Sequence, residues 1–172
     1  MAQFADTLDV DSLHLQSGAG ARFDARVRVQ PVSVAGQSYS VAGNGADARV
    51  DVSRTTSGFA FRLRFDARLS GPCMRCLADA TPVIAVDARE VDQPGEAEEL
   101  HSPYFHDGQL ELAGWAHDAL VLALPTRLLC GDECRGLCSI CGANLNEEDP
   151  SQHLHEQGGD PRWAKLSELK LD

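Results

Sequence analysis

A chain of 172 residues with 26 acidic side chains against 15 basic ones, net charge −11, is not a general nucleic-acid binder, because its charge opposes approach to phosphate. Its length and 43% hydrophobic content allow an adequate core without disulfide staples, in one domain or at most two. The longest apolar run, Ala119 to Pro125, is far too short to span a bilayer.

The amino terminus, Met1 to Val10, carries Asp6 and Asp9 and no apolar run. That does not read as a signal peptide, and the expectation is a reducing cytoplasm. Charge is uneven along the chain: −3 over residues 1–19, +3 over 20–90 and −11 over 91–172. Any contact with RNA therefore falls to the central segment, and that segment reads as β. From Arg22 to Val29, Phe23, Ala25, Val27 and Val29 alternate with Arg22, Asp24, Arg26 and Arg28. Ala48 to Val52 alternates too, and Thr56-Ser57-Gly58 supplies a turn. From Phe59 to Leu69, Phe61, Leu63, Phe65, Ala67 and Leu69 face one way and Arg62, Arg64, Asp66 and Arg68 the other. Pro82 to Arg89 is a further strand. Period-two alternation of this kind predicts an antiparallel sheet or open barrel with one wet face. The arginine stripe, Arg26, Arg28, Arg62, Arg64 and Arg68, is the candidate RNA contact. The plainer alternative is a solvated face balanced by Asp24, Asp51 and Asp66.

Val91 to Gly108 is acidic, holds Pro94, Gly95 and Pro103, and reads as a mobile linker or long loop. A helix from about Leu110 to Leu124 follows, its apolar face made by Leu112, Trp115, Ala119, Leu120 and Leu122 to Ala123. Pro125 ends it, and it should cover the sheet's apolar face. Asn146 to Gly159 is polar and expected to be ordered only by metal. Asp160 as N-cap with Pro161 at N1 predicts a short helix through Leu169, which Trp163, Leu166 and Leu169 would dock on the core or offer to a partner. The expected architecture is α+β: a β-rich core with covering helix over residues 1–128, then a Cys/His-rich metal-binding coil and short helix over 129–172.

Four of the six cysteines, Cys130, Cys134, Cys138 and Cys141, fall within twelve residues as C-x3-C-x3-C-x2-C, and Cys73 and Cys76 form another C-x2-C. In a reducing compartment such clustering points to a soft metal rather than to disulfides. Gly142 after Cys141 lets the backbone approach the thiolates closely. His153 and His155, two apart, would face one ion if the segment were extended. Eight ligands suffice for two tetrahedral Zn2+ sites, so one or two ions per chain are expected. One division sets Cys73, Cys76, Cys130 and Cys134 apart from Cys138, Cys141, His153 and His155. The other pairs the two C-x2-C turns, as in a zinc ribbon. The plainer reading of the two histidines, ranked just below ligation, is as ordinary exposed surface residues. An iron–sulfur cluster fits less well, since the spacing departs from the ferredoxin run.

Cys73-Met74-Arg75-Cys76, then Leu124-Pro125 leading to Cys130, then Gly136-Leu137-Cys138-Ser139-Ile140-Cys141-Gly142-Ala143-Asn144-Leu145-Asn146, resemble the YceD family of large ribosomal RNA subunit accumulation proteins. Asp160-Pro161-Arg162-Trp163 resembles members whose tail carries H-x-H. Ser139 departs from the family, where proline often stands, without removing a ligand. The resemblance implies a role in accumulation of 23S rRNA, hence in building the large subunit, with ribosomal RNA or a large-subunit assembly protein as partner. It implies no catalytic activity.

The residues themselves lack the parts of an enzyme. Pro72-Cys73-Met74-Arg75-Cys76 matches half of a zinc deaminase signature, but none of the six histidines is followed two positions later by the general acid/base Glu. A redox C-x2-C belongs at a helix start after a strand, whereas Cys73 and Cys76 are flanked by predicted strands. There is no phosphate-binding glycine loop, and no small-molecule substrate suggests itself. Two function classes remain: a non-enzymatic ribosome-assembly factor with structural zinc, or a general zinc-dependent protein-interaction module with an acidic tail.

Overall fold

The computed structural model describes residues 4–95, 100–153 and 155. Among these residues, ten strands and one α-helix make up an α+β fold. In chain order they are β1 (Thr7–Asp9), β2 (Gly20–Arg28), β3 (Val32–Val34), β4 (Gln37–Val41), β5 (Gly45–Arg54), β6 (Phe59–Pro72), β7 (Asp79–Ala80), β8 (Val83–Asp92), β9 (Phe105–His106), β10 (Gln109–Glu111) and α1 (Leu112–Ala123). All strand pairs are antiparallel. The main sheet runs β2-β5-β6-β4-β3, with β8 along the other edge of β6, and β1-β10-β9 form a small second sheet.

The predicted alternation sets the core. Val50, Val52, Phe61, Leu63, Ala67 and Leu69 are buried on one face of the sheet. β5 and β6 join through a tight turn in which Thr55 Oγ1 accepts from Gly58 N at 2.9 Å. Gly58 must be glycine, because a Cβ there would collide with the Asp92 carbonyl. α1 packs on both β2 and β8, the outer strands of the four long ones. It buries Leu112, Trp115, Ala116, Ala119 and Leu120. Its first turn is capped by Glu111, whose side chain accepts from Gly114 N at 2.8 Å, and by the Asp6 carbonyl, which accepts from Leu112 N at 2.8 Å. Leu124 leaves the helix in extended conformation before Pro125, as the residue before proline prefers.

Three expectations are corrected. Leu122, placed on the covering face by its apolar character, is 87% exposed. Residues 91–108 are not all linker: β8 runs through Asp92, and β9 and β10 form a hairpin over Asp107-Gly108, both at positive φ as a two-residue primed turn requires. His153 closes a 3-10 turn, Pro150–His153, so the two histidines do not lie on an extended segment. The expected helix from Asp160 to Leu169 lies outside the described residues.

Tyr39 ties the end of β6 to β4. Its hydroxyl donates to the Pro72 carbonyl at 2.8 Å, and its ring lies where a Cβ on Gly71 would be. The next residue is Cys73.

Candidate metal centres

Cys73 to Leu77 leave β6 in a knuckle. Cys73 N donates to the Ala78 carbonyl at 2.7 Å and Leu77 N to the Cys73 carbonyl at 3.0 Å. Cys138 to Ala143 repeat the pattern, with Cys138 N on the Ala143 carbonyl at 2.8 Å and Gly142 N on the Cys138 carbonyl at 2.9 Å. The left-handed position after the second cysteine is Gly142 (φ 76) in one knuckle and Leu77 (φ 62) in the other. Glycine fits it freely; leucine does so with strain.

The coil beyond α1 returns to the first knuckle. Met74 N donates to the Leu128 carbonyl at 2.9 Å and Leu128 N to Met74 Sδ at 3.3 Å. Leu128 belongs to the main core, whereas Leu129 packs on a small separate cluster with Cys73, Cys76, Ala80 and Cys134. This juncture delivers Cys130 and Cys134 to the β6–β7 knuckle.

The eight predicted residues come together as two groups of four, Cys73, Cys76, Cys130 and Cys134, and Cys138, Cys141, His153 and His155. Within each group the ligand atoms all lie within 4.8 Å of one another. The two C-x2-C turns thus go to different groups. None of the six cysteines is disulfide-bonded. Four thiolates about 2.3 Å from a tetrahedral zinc would be about 3.8 Å apart. Cys73 and Cys134 sulfurs are 3.7 Å apart, and those of Cys76 and Cys130 3.6 Å. A thiolate and an imidazole on the same ion would be separated by about 3.5 Å; Cys141 Sγ lies 3.4 Å from His153 Nδ1. His155 Nε2 is buried with no hydrogen-bond partner among the described residues, as a nitrogen reserved for a metal would be. The donor sets therefore fit two tetrahedral metal ions.

Electrostatics favour a cation. Burial pushes the Cys73 thiol up, but the backbone N–H groups of Arg75, Cys76 and Cys130 outweigh it and bring it down to about 6. The N–H groups of Cys141 and Ile140 bring Cys138 to about 6 as well. Cys130, facing the thiols of Cys76 and Cys134, is pushed up to about 12.

Sequence reasoning missed two supporting residues. Glu148 Oε2 meets His153 Nε2 at 2.7 Å, leaving Nδ1 toward Cys141, which is how carboxylates orient metal-bound histidines. Asn146 reaches Cys134 Sγ at 3.6 Å. Glu148 stands in an acidic run with no signal of its own.

The arginine stripe lies on the outer face of the main sheet, and most of it is paired. Arg62 Nε bonds Asp87 at 2.7 Å, Arg64 bonds Asp51 at 2.6 Å, and Arg26 bonds Asp47 at 3.0 Å. Arg28 lies 3.5 Å from Asp6, and both Arg28 and Arg26 stack over the Phe4 ring. Arg68 has no ion-pair partner among the described residues. A trough of about 950 Å³ crosses this face, lined by Asp24, Asp47, Asp66 and Asp87 against Arg26, Arg49 and Arg64, so its walls do not favour an anion. No helix among the described residues is long and apolar enough to cross a membrane.

The model of the family described as large ribosomal RNA subunit accumulation protein YceD matches residues 61–170, which hold all eight clustered cysteines and histidines. The chain belongs to the YceD family. Its relatives extend the likeness beyond the metal groups. An uncharacterised protein of Mycobacterium bovis is 30% identical over 175 residues, covering 96% of this chain and 82% of its own. One of Mycobacterium tuberculosis matches to the same extent. One of Mycobacterium leprae is 38% identical over 63 residues, 37% of this chain and 28% of its own. No solved structure matches. For this YceD member the fold is thus read from its own residues.

Proposed function

We propose that the chain is a non-enzymatic factor in assembly of the large ribosomal subunit, needed for 23S rRNA accumulation, and that two structural zinc ions organise it. Family membership supports the ribosomal role. The observation that carries the zinc reading is the assembly of eight Cys and His side chains into two groups of tetrahedral size. With all four positions of each site taken by protein, neither ion would keep the open position that catalytic zinc needs. Cys73, Cys76, Cys130 and Cys134 would hold one ion, and Cys138, Cys141, His153 and His155 the other. Residues 1–128 would act as the core and 129–172 as a region organised by metal. The divide between Leu128 and Leu129 supports that boundary.

The RNA-facing surface in this reading is the outer sheet face. Arg68 is free to meet phosphate there, while Arg26, Arg28, Arg62 and Arg64 would exchange carboxylate for phosphate. The pairs of Arg26, Arg28 and Arg62 are largely exposed and such pairs are weak, typically under about 1 kcal/mol, while the half-buried Arg64–Asp51 pair would exchange least readily. Replacing Arg62, Arg64 and Arg68 together by Gln tests the surface: binding to large-subunit precursors should weaken and its log–log salt slope fall by about three at most. The function itself is tested by deletion. Loss of the protein should lower 23S relative to 16S rRNA, with rescue by the wild type. An unchanged ratio would leave the zinc-dependent interaction module with an acidic tail as the better reading.

A further inference from the structure

One asparagine links the all-thiolate group to the knuckle of the other group. Asn146 Nδ2 donates to Cys134 Sγ of the all-thiolate group at 3.6 Å and to Asn144 Oδ1 at 2.8 Å. Its Oδ1 accepts from the backbone N–H of Arg135 at 2.7 Å, so the amide is fixed at both ends. Asn144 belongs to the other group's knuckle, where it bridges Leu137, the residue before Cys138. The strip between Cys134 and Cys138 is only three residues long and is clamped from both sides. Leu145 N donates to the Gly136 carbonyl at 3.0 Å. The Arg75 guanidinium, on the first knuckle, donates to the Arg135 carbonyl at 3.3 Å. Gly136, at φ +80, lies so close that a Cβ would sit 3.2 Å from the Arg75 carbonyl.

We propose that Asn146 is a positioning residue that couples the two centres, so that filling either one raises the metal affinity of the other. The inference rests on the zinc reading above. Both centres need the 134–146 strip in one conformation, and the ordering cost is met once, by whichever ion binds first. Reciprocity follows from linkage, and coupling of this kind is typically at least about fivefold. It also gives Asn144-Leu145-Asn146, which carries no ligand, a task.

The test is a cycle of four proteins: wild type, C138S/C141S, Asn146→Ala, and the combined variant. Each is stripped of metal anaerobically and loaded with Zn2+ against a chromophoric chelator, then with Co2+, whose d–d band lies at lower energy with four thiolates than with two thiolates and two imidazoles and so reports the all-thiolate site apart from the mixed one. Removing the mixed site should weaken the all-thiolate site at least about fivefold in the wild-type background and less than about twofold beside Asn146→Ala. The Co2+ band should also shift in Asn146→Ala, because the N–H···S bond to Cys134 is gone. Equal losses in both backgrounds, or none in either, overturn the coupling. Circular dichroism of each variant checks that the sheet core folds as in the wild type. Asn146→Asp keeps the acceptor for Arg135 and lacks the donor for Cys134; it should uncouple the sites, and coupling as in wild type would overturn the assignment to this hydrogen bond. A wild-type chain that binds neither Zn2+ nor Co2+ overturns the zinc reading with it, whereas two sites filling independently overturn the coupling alone.

Discussion

Leu77 shows how a single residue records the demand of its knuckle. The position requires φ near +62, its counterpart is Gly142, and the side chain is 64% exposed. A leucine held there costs on the order of 1 kcal/mol, and little packing offsets it. Leu77→Gly should therefore leave stability unchanged or raise it by up to about 1 kcal/mol, after the entropic cost of glycine. Chemical denaturation of zinc-loaded protein reads this, and a loss above about 1 kcal/mol would mean that Leu77 packs in a way its exposure does not show. Glu148 makes a complementary case. It touches no metal, yet it holds the ring of His153. Glu148→Gln should lower the zinc affinity of the mixed site about tenfold or more, in line with other carboxylates behind metal-bound histidines, and leave the all-thiolate site within about twofold. Equal effects on both sites would contradict that role. The clustering of the eight Cys and His side chains was legible in the sequence because cysteine spacing is a direct signature of groups meant to converge on one point. Glu148 and Asn146 were not, because a hydrogen bond from the side leaves no mark in spacing, and both sit among other polar residues.

At the scale of elements, α1 carries the lesson. Its apolar residues nearly encircle it at the carboxy-terminal end, so periodicity alone set Leu122 on the buried face together with Leu120. The helix packs against β2 and β8, and that orientation buries Leu120 fully while leaving Leu122 87% exposed. Leu120→Ala should cost about 2–5 kcal/mol, and Leu122→Ala within about 0.5 kcal/mol of zero. Thermal melts of the two variants give the comparison, and similar losses would contradict the helix orientation. The four long strands were legible because each buries one face. β1, β3, β4, β9 and β10 were not, being two to five residues long, too short for a period to register. The β9–β10 hairpin had its signal in Asp107-Gly108, but the acidic, proline-bearing residues before it masked the turn.

Across the whole molecule, the two centres stand in different relations to the core. The all-thiolate group joins the end of β6 to the coil after α1, across more than fifty residues, whereas Cys138 and Cys141 reach histidines twelve to seventeen residues on. Structural zinc contributes on the order of 10 kcal/mol of apparent binding free energy. Cys73→Ser should thus lower the melting temperature of the entire sheet, while Cys138→Ser should chiefly raise hydrogen exchange beyond residue 137. Equal and local effects in both variants would contradict this division. Charge follows the same plan: the outer face of the sheet balances arginine against aspartate, and the acidic excess lies in residues 91–172.

Everything proposed for the C-terminal half depends on metal. Elemental analysis combined with native mass spectrometry, on protein purified without chelators, measures this most directly. The account predicts two zinc ions per chain, one for each group of four, with all six cysteines reduced. Less than about half an equivalent of any transition metal with freely titrating thiols, or three disulfides in their place, would contradict it.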